Sequence, residues 1–569
     1  MLISAGNAHV VTALLIIVDQ VSRSLAASQT PPSSPSDLHS GLRLHKLLHV
    51  EVNSHLSILG KVSDEPDSLT RTFLSPAHQK ASKQIAAWMH EAGMHTWTDD
   101  VANVHGCIRG QNATAPALVI GSHYDTVKDA GQFDGALGIL AGIAAVKALV
   151  IQTAMKAELL TNQQAESIAA GAASVLQLLN RADVDTLFSS PVEVVAFCDE
   201  EGLSFQTTLL GSRALAGSLL GPPNLLDSRN SDGLSVKQVL QQHGYNPAED
   251  VVSNIALTPD QVKAYVEVHL EQGPVLEAAD KPLGVVSAIA GQTRLSVSVT
   301  GTQGHAGTVP MAVRRDALAA AAEAINMIEQ QCGGGGQLVG MIKTTPSGKQ
   351  AAQSVWDPSL VCTVGAVSVW PGASNVIAGS TNFSVDIRAQ NDVFRNDVVQ
   401  EVKGGVDRIC SRRKLGCLVQ RVHDAEAVQC SPALVQGLVA AVKDSEQVYG
   451  MAQQAAGFQE SSPSRHTLIT DTNGKQICTT AESLAVEQCQ VVPGQPGSQL
   501  DEPPVLVSGA GHDGLAMADL TEIGMLFVRC RGGISHSPLE YVSDEDVGRA
   551  TTALFTFLAA SLHHLINTI

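Results

Sequence analysis

Five side chains that could hold metal ions stand in or just beyond apolar runs. They are His123 and Asp134 in GSHYDTVKDAGQFDG, Glu201 in CDEEG, His269 in VEVHLEQG and His536 in GGISHSP. Two imidazoles and a carboxylate suit one divalent cation; two carboxylates and an imidazole suit a second. One aspartate can serve both, since its two oxygens can each hold an ion. Paired ions of this type lie ~3.5–4 Å apart and clamp a water between them. Oxygen and nitrogen donors without thiolate favour manganese, zinc or cobalt over copper(I) or iron–sulfur. Taken singly, an HxD or an EEG is more often a satisfied pair or a solvated turn. Five such groups around predicted sheet strands favour the metal reading.

Two neighbours have distinct tasks. Metal-bound histidines nearly always carry a partner on the second ring nitrogen, and Asp125 is placed to accept that N–H from His123. Glu200 and Glu201 are adjacent, so an extended chain points them in opposite directions. Glu201 is assigned to metal and Glu200 to the attacking water as general base.

The elements that must position these groups are legible as short apolar runs. ALVIGSH, PVEVVAF, AYVEVHL and GMLFVRC read as strands, separated by helical stretches such as GALGILAGIAAVKALV. That alternation predicts an α/β catalytic domain, a mixed β-sheet flanked by helices. In such sheets the site lies beyond the carboxyl ends of the strands. Between its two parts, RLSVSVTG, LVCTVGAVSVW and TNFSVDIRA alternate like half-exposed antiparallel strands, and MAVRRDALAAAAEAINMIEQ reads as a helix. These predict a smaller inserted α+β domain over 291–415, with catalytic parts at 42–290 and 416–569. Residues 154–185 read as a helical insertion, and 451–500, rich in Ser, Gln, Gly and Pro, as a flexible one.

At 569 residues the chain is too long for one ordinary core. A formal charge of −19 argues against a nucleic-acid partner, because phosphate recognition needs basic surface. The ten cysteines form no CxxC pair, which argues against a thiolate zinc site and a dithiol redox centre. Residues 1–28 carry a short apolar run suited to a secretory signal, and 29–41 read as a linker. Two acceptor sequons, at Asn112 and Asn382, are compatible with a lumenal protein.

The blocks GSHYDTV…GQFDGALG, FCDEEG, VEVHLEQGPVLE, GTQGHAGTVPM, SNVIAG, SGAGHDGLAMA and GGISHSPLE together resemble the dinuclear metallo-amidohydrolases of the aminoacylase/carboxypeptidase type. Within them the likeness is to the carbamoylase branch, nearest its plant-type allantoate-hydrolysing group, and it runs from about Leu42 to Leu558. The resemblance implies a homodimer in which the smaller domain is both lid and dimerisation domain. It implies that His123, Asp134 and His269 bind one ion and Asp134, Glu201 and His536 the other, most often Mn2+, with Zn2+ or Co2+ as alternatives. His305 would reach across to the partner's site and stabilise the oxyanion. Arg294, Asn375, Arg388 and His512 would bind substrate.

The implied reaction belongs to purine and ureide breakdown: allantoate and water give ureidoglycine, ammonia and carbon dioxide. An N-carbamoyl-L-amino acid or ureidoglycolate is the alternative substrate, and a non-catalytic small-molecule binder the alternative of another class. The plant-type likeness also implies the endoplasmic reticulum. Two departures stand out: Ser204 occupies the usual arginine place in EEGxRF, and Ala378 replaces the proline of SNVIPG.

Overall fold

Strands Val192–Phe197, Ala117–His123, Val262–Leu270 and Ile523–Val528 lie side by side in that order and run parallel. All four are buried on both faces apart from Lys263, which is why they read as continuous apolar runs rather than alternating ones. Their carboxyl ends share one edge. In the computed structural model, residues 35–562 are described, except 206, 334–341, 345–349, 353–356, 358, 457–466, 471–475 and 480–501.

The four parallel strands form the centre of a nine-stranded mixed sheet. Antiparallel strands Val104–Ile108 and His95–Thr98 extend it on one side; Leu283–Ile289 and Val428–Gln429 extend it on the other, with Val505–Ser508 parallel to Leu283–Ile289. Helix Ala136–Lys156 packs under the sheet and is buried along nearly its whole length. Its length and apolarity would suit a membrane, but here they line a protein core. Its Lys147 ammonium meets Glu51 at 2.8 Å.

A second sheet has its own apolar core. Val361–Thr363 and Val367–Trp370 pair with Ser380–Ala389, which pairs with Gly291–Thr300, which pairs with Gly416–Ala425, all antiparallel. Leu295, Val297, Val299, Val385 and Ile387 face helices Ala317–Cys332 and Asp392–Arg413, and the intervening residues face outward.

The structure corrects several expectations. The lid sheet takes its fifth strand from Gly416–Ala425, so a boundary at 415 cuts it short. That strand is largely exposed, and its charged sequence carries a weak apolar signal. The lid helix begins at Ala317 rather than near Met311, because the Asp316 side chain accepts the Ala319 amide as an N-cap. Pro35–His45 is helical, which shortens the linker expected over 29–41. Residues 154–185 are helical as expected: they end the long helix and then form three short ones, Asn162–Ala169, Val175–Leu178 and Arg181–Asp185. Within 451–500, Met451–Ala455 complete a helix, and Thr467–Thr470 pairs with Gln476–Thr479. Beyond Ala456 the rest of that segment, the signal-like residues 1–28 and residues 29–34 of the linker lie outside the described residues.

Candidate metal centre

His123 is the last residue of its strand and His269 the next to last of the adjacent one, so both rings emerge at the same sheet edge. Asp134 joins them from the loop before helix Ala136–Lys156. Gly135 between them has φ 65°, and a Cβ there would lie 2.4 Å from the His123 carbonyl oxygen. Only glycine lets the loop approach so closely. Asp134 Oδ1 lies 3.1 Å from His269 Nε2 and 3.7 Å from His123 Nε2. Its Oδ2 lies 3.3 Å from His536 Nε2, which is also 3.2 Å from Glu201 Oε1. One aspartate thus faces two sets of donors, one oxygen to each.

The ring tautomers indicate what the first set holds. His123 Nδ1 is 3.2 Å from the Asp125 carbonyl oxygen, and His269 Nδ1 is 3.1 Å from that of Leu270. Carbonyls only accept, so each neutral ring carries its proton on Nδ1 and presents a lone pair at Nε2. Those two Nε2 atoms face each other at 3.5 Å beside a carboxylate oxygen. Converging lone pairs repel unless a cation lies among them, so the residues fit a metal ion. The carboxylates around these rings also favour positive charge there, whether a proton or a metal ion carries it. Burial disfavours charge on His123 and His269, yet hydrogen bonds to Asp125 and Asp134 push His123 well up, and Asp134 pushes His269 up. Asp134 and Glu201 push His536 up to about 10. Asp134 is held well below the carboxylate range: burial raises it, but its three histidine contacts outweigh that.

Asp125 is buried beside His123 and has a task beyond the expected one. Its carboxylate accepts the Glu200 amide at 3.1 Å and the Glu201 amide at 3.2 Å, while His123 Nδ1 stands 3.4 Å from Oδ1. It therefore braces the loop carrying both glutamates as well as the ring. That loop bends, with the Asp199 and Glu200 carbonyls accepting the Leu210 and Leu209 amides. Consequently Glu200 and Glu201 do not diverge as an extended chain would require: each places an oxygen within 4.8 Å of the other and of a His123 ring nitrogen. Burial pushes the Glu200 carboxyl well up; His123 opposes this, and Glu201, Asp513 and Asp125 add to it.

His512 is buried against His269, ring centroids 4.3 Å apart, with Nε2 on Ser508 Oγ at 2.7 Å and Nδ1 without a hydrogen-bond partner. Burial, then His269, drive its pKa well below the ordinary value, so the ring is neutral. Arg388 comes from the lid and donates from Nη1 to the Gly509 carbonyl at 2.7 Å, in the loop leading to His512. Arg294 lies on the adjacent lid strand with its side chain 54% exposed.

His305 and Asn375 stand apart from these groups. They sit together on a small ribbon, where Gly304–His305 pairs with Val376–Ile377 and the Ala306 amide donates to the Asn375 carbonyl at 2.9 Å. Both are exposed, and the His305 ring accepts the Gly307 amide. Among the described residues of this single chain, neither touches the metal-type cluster.

Sequence reasoning missed Gln272, Ser535 and Glu540. Gln272 Nε2 and Ser535 Oγ reach Asp134 Oδ2 at 3.0 and 2.8 Å, and Glu540 Oε1 accepts the Phe133 and Asp134 amides. Ser535 Oγ also lies 2.9 Å from Glu540 Oε2. Burial and Asp134 push Glu540 up to about 7. Gln272 and Glu540 stand three and four residues beyond the candidate ligands His269 and His536; that spacing was their only signal.

The model of Peptidase family M20/M25/M40 matches residues 119–560. The chain is 42% identical over 513 residues to allantoate deiminase 2 of Glycine max, covering 90% of this chain and 89% of that one. It is 30% identical over 504 residues to the N-carbamoyl-L-amino-acid amidohydrolase of Pseudomonas sp. (strain NS671), covering 88% and 95%. A solved amidase of the hydantoinase/carbamoylase family from Burkholderia multivorans has the same fold, with a TM-score of 0.64 at 24% identity over 90% of this chain and 97% of that one. The parallel strands, the candidate ligand set at their carboxyl ends and the family match over most of the length agree: this chain belongs to Peptidase family M20/M25/M40.

Proposed function

We propose that this protein hydrolyses allantoate to ureidoglycine, ammonia and carbon dioxide. The observation that carries the reading is the convergence of His123, Asp134, Glu201, His269 and His536 on two adjoining donor sets. The whole-length likeness to a soybean enzyme named for allantoate supports the substrate. Two divalent ions, manganese for preference, would be held by those five residues. When bound, they supply Lewis acidity and lower the pKa of water.

The chain's own groups do the rest. Glu200 accepts a proton from the attacking water and delivers it to the departing ureido nitrogen. Asp125 keeps Glu200 and Glu201 in place through their amides. Arg388 and Arg294 bind the carboxylate, which guanidinium groups match with paired N–H donors. Asn375 both donates and accepts, as a ureido group requires. His512 walls the site beside His269. His305, from the partner subunit of a homodimer, polarises the scissile carbonyl. Closure of the lid excludes bulk water from these polar groups.

The compartment belongs to the same proposal. Cys332–Cys362 and Cys410–Cys417 are disulfide-bonded in the lid, whereas Cys107, Cys198, Cys430 and Cys530 are free thiols. Disulfides persist in oxidising compartments, which supports entry to the endoplasmic reticulum through the signal-like N-terminus. A fluorescent fusion carrying residues 1–40 should enter the secretory pathway; a cytosolic signal overturns this.

The deciding experiment strips the purified protein with a chelator, restores manganese, zinc or cobalt, and measures ammonia release from allantoate, N-carbamoyl amino acids and ureidoglycolate. Manganese-dependent release, fastest from allantoate, is expected. Faster turnover of an N-carbamoyl amino acid would replace the substrate, and full activity after chelation would remove the metal mechanism.

A further inference from the structure

One carboxylate in the lid gathers the arginines expected to bind substrate. Asp386 lies directly across from Arg294 in the strand register, and Arg388 follows two residues along, on the same outward face. Asp386 Oδ1 accepts Arg388 Nε at 3.0 Å. Its Oδ2 accepts Arg388 Nη2 at 3.2 Å, Arg294 Nε at 3.3 Å and Gln292 Nε2 at 2.6 Å. Burial acts to raise this carboxyl, but hydrogen bonding and charge from Arg388, then Gln292 and Arg294, bring it below its usual range. It is therefore ionised and saturated with donors.

The geometry decides which edge of each guanidinium remains. A guanidinium offers five N–H groups in a rigid plane. Asp386 takes the side edge of Arg388, Nε with Nη2, and the Gly509 carbonyl takes Nη1 from the catalytic domain. That leaves one N–H on each of Nη1 and Nη2 of Arg388. Arg294 likewise spends its Nε on Asp386, leaving its half-exposed Nη groups. Two arginines and one aspartate carry a net charge of +1, equal and opposite to one carboxylate.

We propose that Asp386 is a positioning residue for substrate: by holding the Nε of both Arg294 and Arg388, it turns their Nη ends outward as one monocarboxylate-binding clamp. This rests on the reading of the protein as a ureido-acid hydrolase. Asp386 touches no reacting atom and acts through the arginines. Without it, two like charges stand side by side, Arg388 keeps only its bond to the Gly509 carbonyl, and Gln292 loses its acceptor.

The test uses the full-length, manganese-loaded protein. Asp386→Asn should raise KM for allantoate about tenfold or more, as loss of hydrogen bonds to charged groups does, while kcat stays within about threefold. Asp386→Glu keeps the charge and should recover part of the loss. The Asp386→Asn and Arg388→Lys effects on KM should be less than additive, because both disrupt one clamp. The KM penalty should disappear with the amide of allantoate, which lacks the carboxylate. An unchanged or lowered KM in Asp386→Asn, or an equal penalty on acid and amide, overturns the proposal. If Asp386→Asn fails to fold, the same comparison is made with Asp386→Glu alone. Should another ureido acid prove the faster substrate, the allantoate reading falls, and the KM comparison on that acid still decides the role of Asp386.

Discussion

Glu200 is the residue whose chemistry is most separable from metal binding. Its amide is fixed by Asp125, and Glu201, not Glu200, faces His536. Glu200→Gln keeps the shape and removes the proton acceptor. It should retain both ions by elemental analysis while kcat falls by about 10²–10⁴, the usual contribution of a positioned base. Substantial turnover in that variant removes the assignment. The carboxyl and imidazole types were legible in the sequence because each follows an apolar run. The direction of Glu200 was not: adjacent residues diverge on an extended chain, and a bend stabilised by long-range hydrogen bonds reverses that. Asp386 was hidden for a similar reason. An aspartate in an alternating strand reads as solvated surface until the neighbouring strand brings Arg294 opposite it.

Among the elements, the sheet edge away from the catalytic site carries a buried charge cluster. His105, on Val104–Ile108, has Nδ1 2.8 Å from Glu193 and Nε2 3.2 Å from Asp99, and its ring stacks on Trp97. Burial lowers its pKa, but hydrogen bonds to Asp99 and Glu193 prevail and push it up to about 9 from 6.5. Because the folded value lies above the unfolded one, this stabilisation is fully present below pH 6.5 and is lost as pH rises through about 9. The difference corresponds to roughly 3 kcal/mol. Urea unfolding at pH 6.5 and 9 should show a drop for wild type that is much smaller for His105→Gln; parallel drops would refute the linkage. The lid disulfides make a second prediction at this scale. Cys332–Cys362 closes a separation of 30 residues and Cys410–Cys417 one of 7. Chain entropy assigns them about 3.6 and about 2.4 kcal/mol. Serine replacement of the first pair should lower the lid's thermal midpoint more than replacement of the second; the reverse order would contradict the loop-length argument.

At the scale of the whole molecule, the lid sheet and catalytic sheet meet at the bond from Arg388 to the Gly509 carbonyl. His305 and Asn375 are exposed on the lid ribbon. The proposed dimer has a direct test by complementation. His305→Ala and Glu200→Gln should each be inactive as pure dimers. Co-expressed at equal levels, half the dimers are mixed and one site in each is whole, so about a quarter of wild-type activity should return. No recovery would mean that His305 serves its own chain's site or none.

By itself the sequence determined the donor types, the α/β alternation, the inserted half-exposed strands and the places where chemistry could occur. These follow from local patterning: apolar runs form strands, period-two alternation marks a sheet with one wet face, and ligand residues cluster after strand ends. The tertiary structure decided which strands became parallel neighbours, and therefore that His123 and His269 present their Nε2 atoms 3.5 Å apart beside one oxygen of Asp134. It also decided that Glu540 supports the Asp134 loop, that Asp386 gathers two arginines, and that the lid claims a fifth strand from Gly416–Ala425. Each depends on contacts between residues far apart in sequence or across a strand register, and no local pattern encodes those distances.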